Sequence, residues 1–97
     1  MATMEIQRPE GVTLDMYRAV QDKVGIEADP PDGLILHTAG LVNDQLQIVN
    51  VWESSEAAER FVNERLMPAI RAVAGDQAPT GPPSDQTTYE LLNMVRP

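Results

Sequence analysis

His37 is the only histidine in this 97-residue chain. It is therefore the one side chain that ordinarily titrates near neutrality, which suits it to take a proton from a phenol or from a carbon beside a ketone. It stands in the middle of an apolar run, GLILHTAG, while Asn50 and the only tryptophan, Trp52, lie in a second run, LQIVNVWE. If that run is a strand, Asn50 and Trp52 share a face about 7 Å apart along the chain. An amide beside an indole can hold a flat polar ring, with the amide meeting a ligand carbonyl or enolate. Each residue also has a plain structural use. His37 can be satisfied by a backbone or dimer partner and Asn50 by a cross-strand hydrogen bond, while Trp52 can be the largest piece of the core. Tyr17, Tyr89 and Phe61 are the further candidates to contact a substrate there, the tyrosines as phenolic donors reaching the same cavity, although both read equally as core residues with a wet tip.

The elements that must position these groups follow from periodicity and turn chemistry. Residues 2–8, ATMEIQR, alternate Ala2, Met4 and Ile6 with Thr3, Glu5 and Gln7, the pattern of a strand with one buried face. Thr13 then caps a helix from Leu14 to about Val24, whose Leu14, Tyr17, Val20 and Val24 form one stripe and whose end is marked by Gly25. The loop EADPPDG leads to a strand over residues 33–40. LVNDQ is a hairpin loop, and a strand over 46–53 returns antiparallel to the first. On the first strand Ile35, His37 and Ala39 share one face and Leu34, Leu36 and Thr38 the other.

Ser54 or Ser55 caps a second helix running to about Val73, with Ala58, Phe61, Val62, Leu66, Ala69, Ile70 and Val73 on its apolar stripe. Pro68 lacks the backbone donor and crowds the preceding turn, so a kink or break is expected near Met67. Glu53 and Glu56 suit the positive end of that helix and are assigned no catalytic role. Residues 75–84, rich in Gly and Pro, read as a long surface loop, and residues 86–95 as a last strand. Arg8, Arg65 and Arg96 are candidates to pair with acids across a dimer.

Composition narrows the class of function. Fifteen acidic against seven basic residues give a net charge of -8, which disfavours nucleic acid and anionic membrane surfaces as partners. The chain has no cysteine, which excludes disulfides, thiol catalysis and thiolate metal sites. With one histidine besides, a metal site is improbable. No run approaches the roughly 20 apolar residues of a membrane helix, the N-terminus lacks the pattern of a signal peptide, and a single cytoplasmic domain is expected. Phosphate loops, nucleophile elbows and nucleotide fingerprints are missing too. Chemistry without a bound cofactor would have to use the substrate's own reactivity.

The order βαββαβ is the split βαβ of a ferredoxin-like α+β fold, a four-stranded antiparallel sheet with both helices on one face. Its strands are apolar on both faces, so the uncovered face predicts self-association, most simply as a two-fold homodimer. IVNVWES followed by EAAERFVNERLMPAI, within that order, resembles the dimeric α+β barrel superfamily and, within it, the small antibiotic-biosynthesis-monooxygenase-like proteins. The resemblance implies two sheets packed into a barrel, with a pocket in each subunit between sheet and helices. It implies that some relatives oxidise aromatic polyketides with molecular oxygen and no flavin, haem or metal, while others degrade haem or have no known reaction. Members that use an Asn and a Trp from this hairpin strand suggest Asn50 and Trp52 as the matching positions.

Two readings follow. One is a cofactor-independent monooxygenase for an aromatic or polyketide-like ring, with His37 or a pocket water as base and Asn50 and Trp52 orienting the enolate. The other is a non-catalytic homodimer that binds a hydrophobic aromatic small molecule or has a structural role. A cavity lined by His37, Asn50 and Trp52 separates them.

Overall fold

The computed structural model describes residues 2–77 and 85–97. Its elements are β1 (Thr3–Gln7), α1 (Leu14–Val24), β2 (Leu34–Val42), β3 (Gln45–Trp52), α2 (Ser55–Phe61), a π-helical turn (Val62–Leu66), α3 (Met67–Ala74), a short 3-10 turn (Gly75–Gln77) and β4 (Gln86–Glu90). The sheet is antiparallel throughout, in the order β2-β3-β1-β4. Each β-α-β crossover therefore skips one strand, giving the ferredoxin-like α+β fold that the sequence predicts. Most of the expected 75–84 loop lies outside the described residues. No helix among those described is long and apolar enough to cross a membrane.

Local chemistry accounts for the boundaries. Thr13 accepts a hydrogen bond from the Met16 backbone N–H at 3.1 Å, Ser54 does the same for Ala57 at 3.1 Å, and Gly25 closes α1 with φ at 71°. The hairpin is tighter than expected. Asn43 and Asp44 alone form the turn, with φ of 51° and 65°, the paired positive angles of a type I′ turn, so β2 runs on to Val42. β4 is shorter than expected because β1 offers only five partners; one further bond, from the Leu91 N–H to the Ala2 carbonyl, ends the pairing. At Pro68 the rod stays helical. The missing donor is absorbed one turn earlier, where the Met67 N–H reaches the Val62 carbonyl five residues back.

Two expected face assignments are corrected. A bulge between Leu34 and Leu36 sets Leu34 opposite Trp52 and Leu36 opposite Val51, so Leu34 joins the side of His37 and packs on the core. In β1 the polar set, not the apolar one, faces the helices: Thr3 is buried beside Trp52 and Glu5 lies opposite Asn50. Met4 and Ile6 point to the uncovered face, in rows with Leu36, Val51 and Tyr89 and with Thr38, Val49 and Thr87.

The core under the helices joins Val24, Trp52, Ala57, Ala58, Phe61 and Ala69. Arg65 ties the rod to the end of α1, donating at 2.8 Å to the carbonyls of both Val24 and Asp29. Arg8 meets Asp85 and Gln47. Both arginines, expected to reach across a dimer, are thus used within the chain. Gly33 fixes the close approach of β2 to α2: its φ is +85°, and a Cβ there would lie 2.6 Å from the Ala57 Cβ. Gly33→Ala is therefore expected to cost about 3 kcal/mol, from left-handed strain plus overpacking, as a lowered urea midpoint with unchanged slope.

Candidate active site

Antiparallel register sets His37 of β2, Asn50 of β3, Glu5 of β1 and Thr88 of β4 in one row across the helix-covered face. The row one pair nearer the helix caps holds Leu34, Trp52 and Thr3. Tyr17 comes down onto the His37 row from α1, its ring nearly parallel to the imidazole, 13° between planes, and meeting it end-on with centroids 6.3 Å apart. The side chains join into one hydrogen-bonded chain. The Tyr17 hydroxyl is 2.8 Å from His37 Nε2, and His37 Nδ1 is 2.6 Å from Asn50 Oδ1. Asn50 Nδ2 donates to Glu5 Oε1 at 3.5 Å, and the Trp52 indole N–H donates to the same oxygen at 2.8 Å.

Burial grades along this chain. Trp52 is 1% exposed and Asn50 8%, whereas Tyr17, His37 and Glu5 are half-buried. All buried polar side-chain atoms among the described residues have a partner. Burial pushes the Tyr17 hydroxyl's titration above its ordinary value, and the nearby charge of Glu27 adds to the shift. Tyr17 therefore keeps its proton through the neutral range. It serves as a hydroxyl partner to His37, leaving the imidazole as the group that can exchange a proton.

The proposed site residues are only partly brought together. His37, Asn50, Trp52 and Tyr17 converge. Phe61 lies behind Trp52, with ring centroids 5.3 Å apart, as a core neighbour. Tyr89 does not reach the cavity expected of it. It projects from the other face of the sheet, where its hydroxyl lies 3.1 Å from Met4 Sδ, because the five-residue pairing of β4 with β1 puts it in the Met4 row. Glu5 was missed: period-2 alternation in β1 shows two faces but not which one the helices cover. Its match to Asn50 across the sheet appears only once the register is known.

Two concavities flank the site, and neither is lined by His37, Asn50 or Trp52. One, of about 220 Å³, lies between the Asp29–Asp32 loop and α2, with Phe61 and Arg65 in its wall. The other, of about 400 Å³, lies between the start of α1 and the hairpin end of the sheet, lined by Val12, Leu14, Leu41 and Leu46 among others. Leu41 shares a strand face with His37, and Leu14 is one helical turn before Tyr17. Between Leu41 and His37 on that face lies Ala39, small and exposed. Among the described residues no group of three or more His, Cys, Asp or Glu side chains is placed to hold a metal ion.

No family model and no curated protein matches the sequence. Solved structures do match it in fold. The protein Rv0793 from Mycobacterium tuberculosis is 15% identical with a TM-score of 0.64, over 98% of this chain and 97% of that one. SnoaB, a cofactor-independent oxygenase from Streptomyces nogalater, is 14% identical with a TM-score of 0.61, over 97% and 95% of the two chains. An antibiotic-biosynthesis-monooxygenase-type protein from Deinococcus radiodurans is 14% identical with a TM-score of 0.61, over 98% and 95%. Likeness at this identity establishes the fold: the chain has the antibiotic-biosynthesis-monooxygenase-like α+β fold.

Proposed function

We propose that this protein is a cofactor-independent oxygenase acting on an enolisable aromatic or polyketide-like ring, with His37 as its base. The observation that carries the reading is the Tyr17–His37–Asn50 chain, a lone imidazole held at both nitrogens, by a tyrosine hydroxyl and by an amide oxygen. The shared fold with a cofactor-independent oxygenase supports it. The substrate enters by the cleft at Leu14, Leu41 and Leu46 and slides over Ala39, and its acidic hydroxyl displaces the Tyr17 hydroxyl from His37 Nε2.

Nε2 takes the substrate proton, leaving a carbanion conjugated with the ring oxygen. That carbanion reduces oxygen one electron at a time, and the radical pair combines to form a C–O bond, giving a hydroperoxide anion that recovers a proton from the imidazolium. Loss of water, with the second hydrogen of the same carbon, leaves a ketone. One oxygen atom ends in the product and one in water, and the substrate supplies all four electrons. Tyr17, which retains its proton, donates to the ring oxygen as charge grows there. The test is oxygen uptake by metal-stripped protein across a panel of anthrones and quinols. Protein-dependent uptake supports the reading; none with any member overturns it.

The uncovered sheet face is proposed as the surface through which two copies pair. Leu36 is 51% exposed and Tyr89 45%, and both lie in one row with Met4 and Val51. An apolar row of this kind marks an interface. Leu36→Asp places a charge on it and is expected to convert a dimer into a monomer in sedimentation velocity, with the helical signal unchanged. A wild-type monomer would remove the proposal. A non-catalytic homodimer, small-molecule-binding or structural, is favoured by two other observations: neither concavity is lined by His37, Asn50 or Trp52, and among the described residues the buried polar side-chain atoms are all paired, which leaves none waiting for a substrate.

A further inference from the structure

We infer that Glu5 is a positioning residue that sets which nitrogen of His37 is the base; its catalytic consequence rests on the oxygenase reading above, but the positioning itself does not. The direction of the hydrogen-bond chain is ambiguous at its Tyr17 end, because a protonated hydroxyl can donate to an imidazole nitrogen or accept from it. It is ambiguous at Asn50 too, whose amide carries a donor and an acceptor of nearly the same size. At the other end the ambiguity disappears. The Trp52 indole N–H can only donate, and a carboxylate can only accept.

The Trp52 N–H fixes Glu5 Oε1 at 2.8 Å, at the edge of the core where the indole is almost wholly buried. The same oxygen lies 3.5 Å from the Asn50 amide. A flipped Asn50 would turn its own oxygen onto the carboxylate, setting lone pair against lone pair on a side chain that is itself buried. Asn50 therefore presents Nδ2 to Glu5 and Oδ1 to His37. At 2.6 Å, Oδ1 demands a hydrogen on His37 Nδ1. Nε2 is left with its lone pair, aimed at the Tyr17 hydroxyl. Glu5, itself anchored by Trp52, thus acts through one neighbour, Asn50, and makes no hydrogen bond with His37. In its absence nothing holds the amide, and the imidazole is free to carry its hydrogen on Nε2, where it cannot serve as a base toward anything in Tyr17's position.

With one histidine in the chain, ¹⁵N-histidine labelling reports this residue alone. In the wild type above neutral pH, Nε2 is expected at the far-downfield shift of an unprotonated ring nitrogen and Nδ1 at the upfield shift of a protonated one. Glu5→Ala should reduce the Nδ1–H form from nearly all of the neutral imidazole to a minority. Glu5→Gln retains an oxygen for the Trp52 N–H and should keep the wild-type pattern, whereas Glu5→Leu, which keeps the bulk without an acceptor, should lose it as Glu5→Ala does; a Glu5→Leu protein with the wild-type pattern would show that packing alone is at work. A wild-type imidazole protonated on Nε2 would overturn the inference without any variant, and so would an unchanged pattern in folded Glu5→Ala. Kinetics separate the two proposals. If the oxygenase reading is right, Glu5→Ala lowers kcat more than it raises KM, in step with the tautomer. The expected tautomer response in a protein that consumes no oxygen would sink the oxygenase and leave the positioning role standing.

Discussion

His37→Ala is expected to lower the kcat for oxygen uptake by about 10²- to 10⁴-fold, the usual contribution of a positioned general base, or roughly 3–5 kcal/mol of barrier. KM should change less, because the cleft proposed to receive the ring is lined by Val12, Leu14, Leu41 and Leu46 among others and not by the imidazole. The fold should survive. His37 is half-buried on an edge strand, and the groups it leaves, the Tyr17 hydroxyl and Asn50 Oδ1, lie where water can reach one of them. Tryptophan emission and far-UV circular dichroism would establish that the variant is native. A native His37→Ala protein with undiminished uptake would move the base elsewhere, to a pocket water.

Trp52→Ala is expected to cost about 3–5 kcal/mol, the range for deleting a large aromatic from a close-packed core. The side chain is the most deeply buried large one among the described residues, opposes Leu34 in the sheet and packs on Phe61. Against a total stability of about 5–15 kcal/mol for an ordinary domain, such a loss leaves a large fraction unfolded at modest urea concentration. Trp52→Phe separates the two things the indole does. It keeps most of the ring but removes the donor to Glu5, so it should cost about 1–3 kcal/mol through the unpaired carboxylate and disturb the tautomer of His37 as well. A Trp52→Ala variant that melts with the wild type would show that the core does not depend on this contact.

Local rules carried much of the fold in this chain. Thr13 and Ser54 mark helix starts, Gly25 marks an end, and the apolar stripe of each helix is the one that packs, because caps and 3.6-residue periodicity depend on neighbours a few positions away. Asn43-Asp44 between two apolar runs was also readable, although as a longer loop than the two-residue turn that forms. What sequence could not supply is register and side. Met4 and Ile6 alternate with Thr3, Glu5 and Gln7 whichever set is inside, and the usual inference favours the apolar set. Here the apolar set lies on the uncovered face, where its burial depends on another surface. The single bulge before Leu36 then reverses the relation of Leu34 to its strand. For the same reason His37, Asn50 and Trp52 could be named as candidates from residue type, while Glu5, which joins the last two, could not. Tyr89 was placed at the site because an aromatic near the C-terminus has no intrinsic side; the pairing of β4 with β1 decides it.

The most direct test of the central claim is the isotopic origin of the product oxygen. Metal-stripped protein, free of added flavin, would be given an anthrone under ¹⁸O₂ in ordinary water, and the quinone read by mass spectrometry before carbonyl exchange. The account predicts one ¹⁸O in the new carbonyl, formed at a rate that depends on the protein and collapses in His37→Ala. Turnover that appears only when a metal or flavin is restored, or a new carbonyl that carries unlabelled oxygen from water, would contradict it.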